Sequence, residues 1–432
     1  MITLVTTLGI INAILIIWRF EWGLYLFTAL IPFSVLLPIT PVPGINGTTI
    51  LIILLFLKSF PHWQPFCKLN YNPPDLAKSL LGLFAVVTFS IIYSNVVYGY
   101  QSLPLIDYFI KLKRWFMFIF LYFLYKHELT TRKKIKYALM AMAIGIFLEG
   151  VFVVKAVFLS GRWRAYGTIG QANELGQFFS TYFLIPLILL IHERGIIKKI
   201  FFSIIIVLSL YGIVLTLSRG GFLVFAISAL IFLFFRSRKL AIILMVFSVF
   251  FYGTFQNILP KKVVSRIEET FAKNEATRSV NGIPIEASAY SRIPLAKAGL
   301  IMFKENPLLG KGFMSYNLLV PRFKYGGQFG IDHPKASHDM HIRILAELGI
   351  VGYVFFISIF INSSKLGYTT FKLASHDRDK DIGIITLCAS IAFVIGCLFG
   401  DRFFRGILIT YFFVLSALCY NLYCIISRER LT

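Results

Sequence analysis

The sequence predicts an all-α polytopic membrane protein with about 12 transmembrane helices and one large external loop carrying short helices. Two observations predict it. Hydrophobic residues make up 57% of the chain and charged residues only 15%, against about a quarter charged in soluble domains. The apolar residues also come in uninterrupted blocks, as at 200–218, 221–235 and 240–255, and about 20 helical residues cross a bilayer core of roughly 30 Å.

Taken in order, the first apolar run, 3–18, has no basic residue before it and no small-residue cleavage site behind it, so it reads as a retained span. Spans follow near 23–39 and 47–60, where Pro38, Pro41 and Pro43 interrupt the pattern and allow a re-entrant segment. Further candidates lie near 78–98, 105–126, 136–159, 175–192, 200–217, 221–235 and 240–258, then 343–363, 382–399 and 405–426. Lys111, Lys113 and Arg114 inside the fifth mark a place where that helix meets an interface or a cavity. The chain thus divides into a transmembrane bundle over 1–258 with about 10 spans, an external loop over 259–341, and C-terminal transmembrane helices over 342–432.

Orientation follows from the loops. Those at 126–136, 192–199, 236–239 and 363–381 are short and basic, which places them in the cytoplasm. Counting spans puts 160–174, 218–221, 259–341 and 400–406 on the opposite side. The same bias accounts for the net charge of +23 without nucleic acid as a partner. Of five cysteines, Cys388, Cys397, Cys419 and Cys424 fall in spans and Cys67 in a basic loop, so no disulfide framework is expected.

The long external segment invites a functional reading. Residues 261–277 and 289–303 read as helices, the second amphipathic and lying at the membrane surface. Asn306-Pro307 breaks that helix, and Gly310-Lys311-Gly312 reads as a turn. It has neither the preceding strand nor the third glycine of a nucleotide loop.

The polar residues that could carry chemistry all fall on the outer side: Arg162 and Arg164 with Asn173 and Glu174, Ser218-Arg219-Gly220-Gly221, Arg292, and Ser337-His338-Asp339 with His341. An interfacial arginine commonly just snorkels toward headgroups. Arg219 differs, because the two glycines after it let backbone approach closely and leave room around the guanidinium. A fork of donors in such a space suits a phosphate. His338 opens the next helix, with Ser337 or Asp339 as its cap, and the helix dipole favours an anion nearby. A neutral imidazole there can act as a general base near pH 7, and the bland alternative is a satisfied interfacial histidine. His338 and His341 with Asp339 between them lack a third and fourth ligand at metal-binding spacing, so no metal is expected.

At this point the residues resemble a known family. The stretch 336–349, ASHDMHIRILAELG, is similar to the signature of the O-antigen ligase and O-antigen polymerase superfamily, with His338, Glu347 and Gly349 at the matching spacing. Asp339 stands where that family more often has Asn. Leu217-Ser218-Arg219-Gly220, and Arg292 followed by residues 302–312 (MFKENPLLGKG), fit in the expected order, and residues 164–173 resemble the family's outer loop. The resemblance implies a metal-independent, cofactor-free glycosyltransferase of the membrane-embedded GT-C type in a bacterial inner membrane, its active site facing the periplasm. Its donor would be an undecaprenyl-diphosphate-linked glycan. A ligase hands the glycan to a sugar hydroxyl of lipid A–core; a polymerase hands it to another carrier-linked repeat.

By the same resemblance, Arg219 and Arg292 grip the diphosphate, and His338 serves as general base or as electrostatic partner. Arg162, Arg164, Asn173, Asp339 and His341 contact carrier, glycan or acceptor. Glu347, nine residues along the helix from His338, reads as structural, pairing with another span. The long segment holding both Arg292 and His338 favours the ligase over the polymerase. A transporter of lipid-linked sugar is the reading from another class. It would place ionisable residues at the bilayer midplane and mirror one half of the chain in the other, and neither pattern is present in the sequence.

Overall fold

The computed structural model describes residues 2–37, 45–62, 73–98, 105–160, 164–243, 277–280, 283–286 and 290–431. Eight of the described helical runs are long and apolar enough to cross a membrane. They are α4 (Ala77–Tyr98), α6 (Arg132–Ser160), α7 with α8 (Ala172–Tyr182 and Leu184–His192), α9 (Ile196–Thr216), α10 (Arg219–Arg236), α13 (Met340–Leu373), α14 (Asp377–Cys397) and α15 (Gly406–Glu429). Between and before them run α1 (Ile2–Trp18), α2 (Phe20–Leu30) continued by a 3-10 turn at Ile31–Leu36, α3 (Gly47–Ser59) and α5 (Leu105–Glu128). The tenth expected span begins as helix at 238 and then leaves the described residues.

Ion pairs and hydrogen bonds fix which ends lie together. Lys134 pairs with Glu21 at 2.9 Å and Lys126 with Asp75 at 2.6 Å. Arg132 reaches Asp379 at 2.9 Å and also Glu429, and Arg236 and His192 both meet Asp381 at 2.7 Å. These contacts gather the basic loops at one end of the bundle. At the other end Thr168 Oγ1 donates to the Pro32 carbonyl and Thr48 Oγ1 to that of Ser34. Glu21 at the start of α2 thus lies at one end and Pro32 and Ser34 just after it at the other, with the start of α3 beside them. Pro38, Pro41 and Pro43, where the sequence allows a re-entrant segment, lie outside the described residues. Within the fifth span Lys113 Nζ donates to Thr49 Oγ1 at 3.3 Å, so this cation is held against α3.

α15 is the axis of the core, apolar all round and buried along nearly its whole length. It is joined to its neighbours by hydroxyls: Ser390 donates to Ser363 at 2.8 Å, and Ser363 and Ser416 bond at 3.0 Å, linking α13, α14 and α15. Side-chain pairs of this kind satisfy polar atoms where no water can.

The outer segment holds one feature not read from the sequence, an antiparallel hairpin of β1 (Thr277–Val280) and β2 (Ile283–Glu286). Of residues 261–277, expected as a helix, 261–276 lie outside the described residues and Thr277 opens β1. The second expected helix is α11 (Arg292–Glu305). It buries Leu295, Ala298, Gly299 and Met302, and Gly299 lies against Ile342 and Tyr316. A short helix, α12 (Ser315–Leu319), follows.

α13 is two helices in one. Gly349 has φ 63° and ψ −165°, a break that ends a first arm at Leu348 and starts the span proper at Ile350. The loop at 307–312 is laid into this break. Ile350 N–H donates to Pro307 O at 2.8 Å, Lys311 N–H to Ala346 O at 2.9 Å, and Gly312 N–H to Glu347 O at 2.8 Å. The orphan backbone groups of the break are thus satisfied by the loop, and each partner needs a glycine to come so close. A Cβ on Gly349 would overlap the Leu308 carbonyl, and one on Gly310 the backbone of Glu347.

Candidate active site

The first arm of α13 begins with a cap. Asp339 accepts from the backbone N–H of His341 at 2.9 Å and of Ile342 at 3.1 Å, so of the two possible caps it is Asp339 that acts. His338 stands just before it with φ 55°, in the left-handed region that few residues other than glycine adopt. The residue stays solvent-accessible. Such local strain persists only where neighbours enforce it. Here Ser337 does so, donating its hydroxyl to Asp401 at 2.5 Å and accepting from the Asp339 N–H at 3.3 Å.

Asp401 belongs to the short outer loop between α14 and α15, and it is also bound to Arg343. Arg343 is the hub of a buried set, with Nε 3.0 Å from Glu347, Nη1 2.5 Å from Asp401 and its guanidinium 4.4 Å over the Phe404 ring. Glu347 therefore pairs with its own helix one turn away, rather than with another span, and also receives the Tyr316 N–H at 3.3 Å. That bond holds the start of α12. Removing one partner of such a pair strands a buried charge at a cost of about 3–5 kcal/mol. Asp401→Ala is accordingly expected to lower the thermal stability of the purified protein sharply. Asp401→Leu with Arg343→Met and Glu347→Gln removes the whole charge set while keeping an acceptor for the Tyr316 N–H, and should recover most of the loss. An equal or larger loss in this triple variant would refute the role.

Two guanidiniums bear on His338. Partial burial, then the positive charges of Arg292 and Arg402, push its pKa below the ordinary 6.5, against an opposing pull from Asp401. The imidazole is therefore neutral at pH 7. Arg292 opens α11, and its own guanidinium is lowered by burial, though it remains a cation.

The other expected residues fall as follows. Arg164 is half-buried, donating from Nε to the Thr216 carbonyl at 2.6 Å and from Nη2 to Asn173 Oδ1 at 2.7 Å. It ties the outer loop to the end of α9. Arg162 lies outside the described residues. Arg219 is the first residue of α10, whose cap is Ser218, accepting from Gly221 N–H at 3.1 Å. The glycines after Arg219 are used for packing. A Cβ on Gly221 would sit 3.2 Å from Gly176 backbone, and one on Gly220 3.0 Å from Phe399. This sets Arg219 beside the loop that carries Asp401 and Arg402. His341 turns away from these groups. Nε2 donates to the Val394 carbonyl at 3.0 Å, so Nδ1 accepts from the Tyr353 hydroxyl at 3.2 Å. Lys311, in the turn at 310–312, is buried and paired with Glu305 at 2.7 Å. Burial would raise the Glu305 carboxyl, but bonds from Lys311, Lys324 and Tyr325 bring it down to about 2.

Sequence reading missed Arg402 and Arg405. Both rest on Glu174 of α7: Arg405 Nε is 2.8 Å and Arg402 Nη1 3.6 Å from Glu174 Oε1. A signal existed. An outer loop reading Asp-Arg-Phe-Phe-Arg at 401–405 carries two cations on the side where loops are normally poor in them.

No curated protein matches the chain. Residues 204–357, a segment that contains Arg219, Arg292, His338 and both sides of the Gly349 break, match the family model described as O-Antigen ligase, and over that stretch the chain is similar to the O-antigen ligase and polymerase superfamily.

Proposed function

We propose that this protein is an O-antigen ligase. It transfers a glycan from undecaprenyl diphosphate to a sugar hydroxyl of lipid A–core at the periplasmic face of the bacterial inner membrane. The observation that carries this reading is the placing of His338: a neutral, accessible imidazole beside Arg292 and Arg402, inside the segment that matches the family. The basic loops gather at the opposite end of the bundle from these residues, which supports a periplasmic site by the charge bias of cytoplasmic loops.

The chemistry needs three things. A diphosphate is already a good leaving group, and the charge that develops on it as the glycosidic carbon–oxygen bond breaks is stabilised by fixed cations, here Arg219 and Arg292. The acceptor hydroxyl must be held in line behind the sugar carbon, which lowers the barrier by positioning alone. A base must take the hydroxyl proton as the new bond forms, and His338 is neutral and in the right neighbourhood to do so. Arg164 and Asn173 shape the outer loop over the site. Because the donor arrives activated, the reaction proceeds without a metal.

The test is transfer from a polyprenyl-diphosphate glycan to purified lipid A–core by the full-length chain in detergent, with EDTA present. Product on lipid A–core is expected at an undiminished rate in EDTA. Lengthening of the carrier-linked glycan alone would make the protein a polymerase, and neither product would return the transporter reading.

A further inference from the structure

The loop at 400–405 contributes a buried and an exposed arginine to the same end of the bundle as His338, and the proposed chemistry does not yet use the exposed one. Glu174 is 4% exposed at its side chain and is shared by both. Arg402 is equally buried, while Arg405 is 46% exposed. The Gln171 amide, with its oxygen toward Arg405, accepts from Nη2 at 3.0 Å and donates from its nitrogen to Glu174 at 2.7 Å. Arg405 is therefore gripped along one edge, by Nε and Nη2, and its planar fork is pre-oriented while its outer nitrogen stays accessible. An arginine that merely snorkels has no such clamp.

The cluster is also incomplete as it stands. Among the described residues, Arg402 Nε is buried without a hydrogen-bond acceptor, and a donor of that kind marks where an anionic ligand or an ordered water completes a site. Glu174 Oε2, also without a partner, is an acceptor and calls for a donor instead. The loop is stitched to the catalytic turn, because Asp401 holds the Ser337 hydroxyl at 2.5 Å, one residue from His338.

From this geometry we infer that Arg405 binds a phosphate oxygen of the lipid-linked donor, and that Glu174 is the positioning residue that aims it. A pre-organised guanidinium suits a diphosphate oxygen better than an ammonium would. The inference rests on the proposed donor class. It adds to that reading a third anchor, from the last outer loop, which lies beside the start of α10.

The experiment is binding of farnesyl diphosphate to the full-length protein by calorimetry in a maltoside detergent, free of phospholipid, alongside donor titrations of the transfer reaction. Arg405→Ala should weaken binding by about ten- to a hundred-fold and raise the donor KM in parallel, with kcat changed far less. The melting temperature should fall as well, because buried Glu174 loses its nearer cation. Arg405→Lys should retain part of the affinity. Glu174→Gln should weaken binding less, and should add nothing in combination with Arg405→Ala, as residues acting through one contact are non-additive. A purely structural Arg405 would leave diphosphate affinity intact in the folded alanine variant, which overturns the inference. So does an Arg405 that faces phospholipid headgroups, since its alanine variant would bind farnesyl diphosphate as tightly as the wild type. Wild-type protein that binds the diphosphate but transfers no glycan would count against the ligase reading alone, and the Arg405 comparison would still decide this one.

Discussion

Gly349→Ala is expected to destabilise the protein by about 2–6 kcal/mol and to abolish transfer, though no reacting group is touched. Two costs combine. The backbone at φ 63° and ψ −165° lies in a region that residues with a Cβ scarcely occupy, worth about 1–3 kcal/mol. The added methyl also overlaps the Leu308 carbonyl, and overpacking of that kind costs about 1–3 kcal/mol more. Neither partner can give way cheaply, because Ile350 N–H is bonded to Pro307 O and Gly312 N–H to Glu347 O. Relief means opening the clasp, which releases α11 and the Arg292 it carries from the arm that carries His338. Thermal unfolding in detergent reads the stability, and limited proteolysis between α11 and α13 reads the opening. Gly330→Ala serves as the control: its φ is 77° but a Cβ there meets nothing within 4 Å, so only about 1 kcal/mol of conformational cost applies. Equal melting temperatures for the two variants would sink the clasp account.

That clasp also shows what the sequence could and could not convey. The apolar runs gave the helices, and the placing of Lys and Arg gave their alternation. The segments 302–312 and 336–349 were each legible as pieces of one family signature. Why they occur together was not, since the reason is a set of backbone hydrogen bonds between glycine-bearing turns, and backbone contacts leave no periodicity in a sequence. The hairpin at 277–286 was missed although Asn281-Gly282 is a strong two-residue hairpin signal, because the surrounding pattern was read for helical period alone. Glu347 shows the opposite error. His338 lies before the cap Asp339, outside the helix, so no helical phase relates the two residues, and the partner of Glu347, Arg343, stands one turn away on its own helix. Arg402 and Arg405 fell in a short connection with no motif, and their meaning depends on Glu174, far away in sequence.

His338→Ala is expected to lower turnover by about 10²- to 10⁴-fold, and the pH profile of the wild type decides how the residue acts. Partial burial and the charges of Arg292 and Arg402 hold the imidazole below its ordinary 6.5. As a general base it is active when neutral, so kcat/KM should be flat at pH 7 and fall only as the pH drops through this lowered value. The sign matters. A histidine that served as a cation beside the diphosphate would be active when protonated, and kcat/KM would instead fall as the pH rises through the same region. The neighbours supply an internal check. Arg402→Gln removes a charge that disfavours imidazolium, so its acid limb should move up toward 6.5 whatever happens to the height of the plateau. An acid limb that stays in place in that variant, or that persists in His338→Gln, would assign the titration to another group and leave His338 without the role of base.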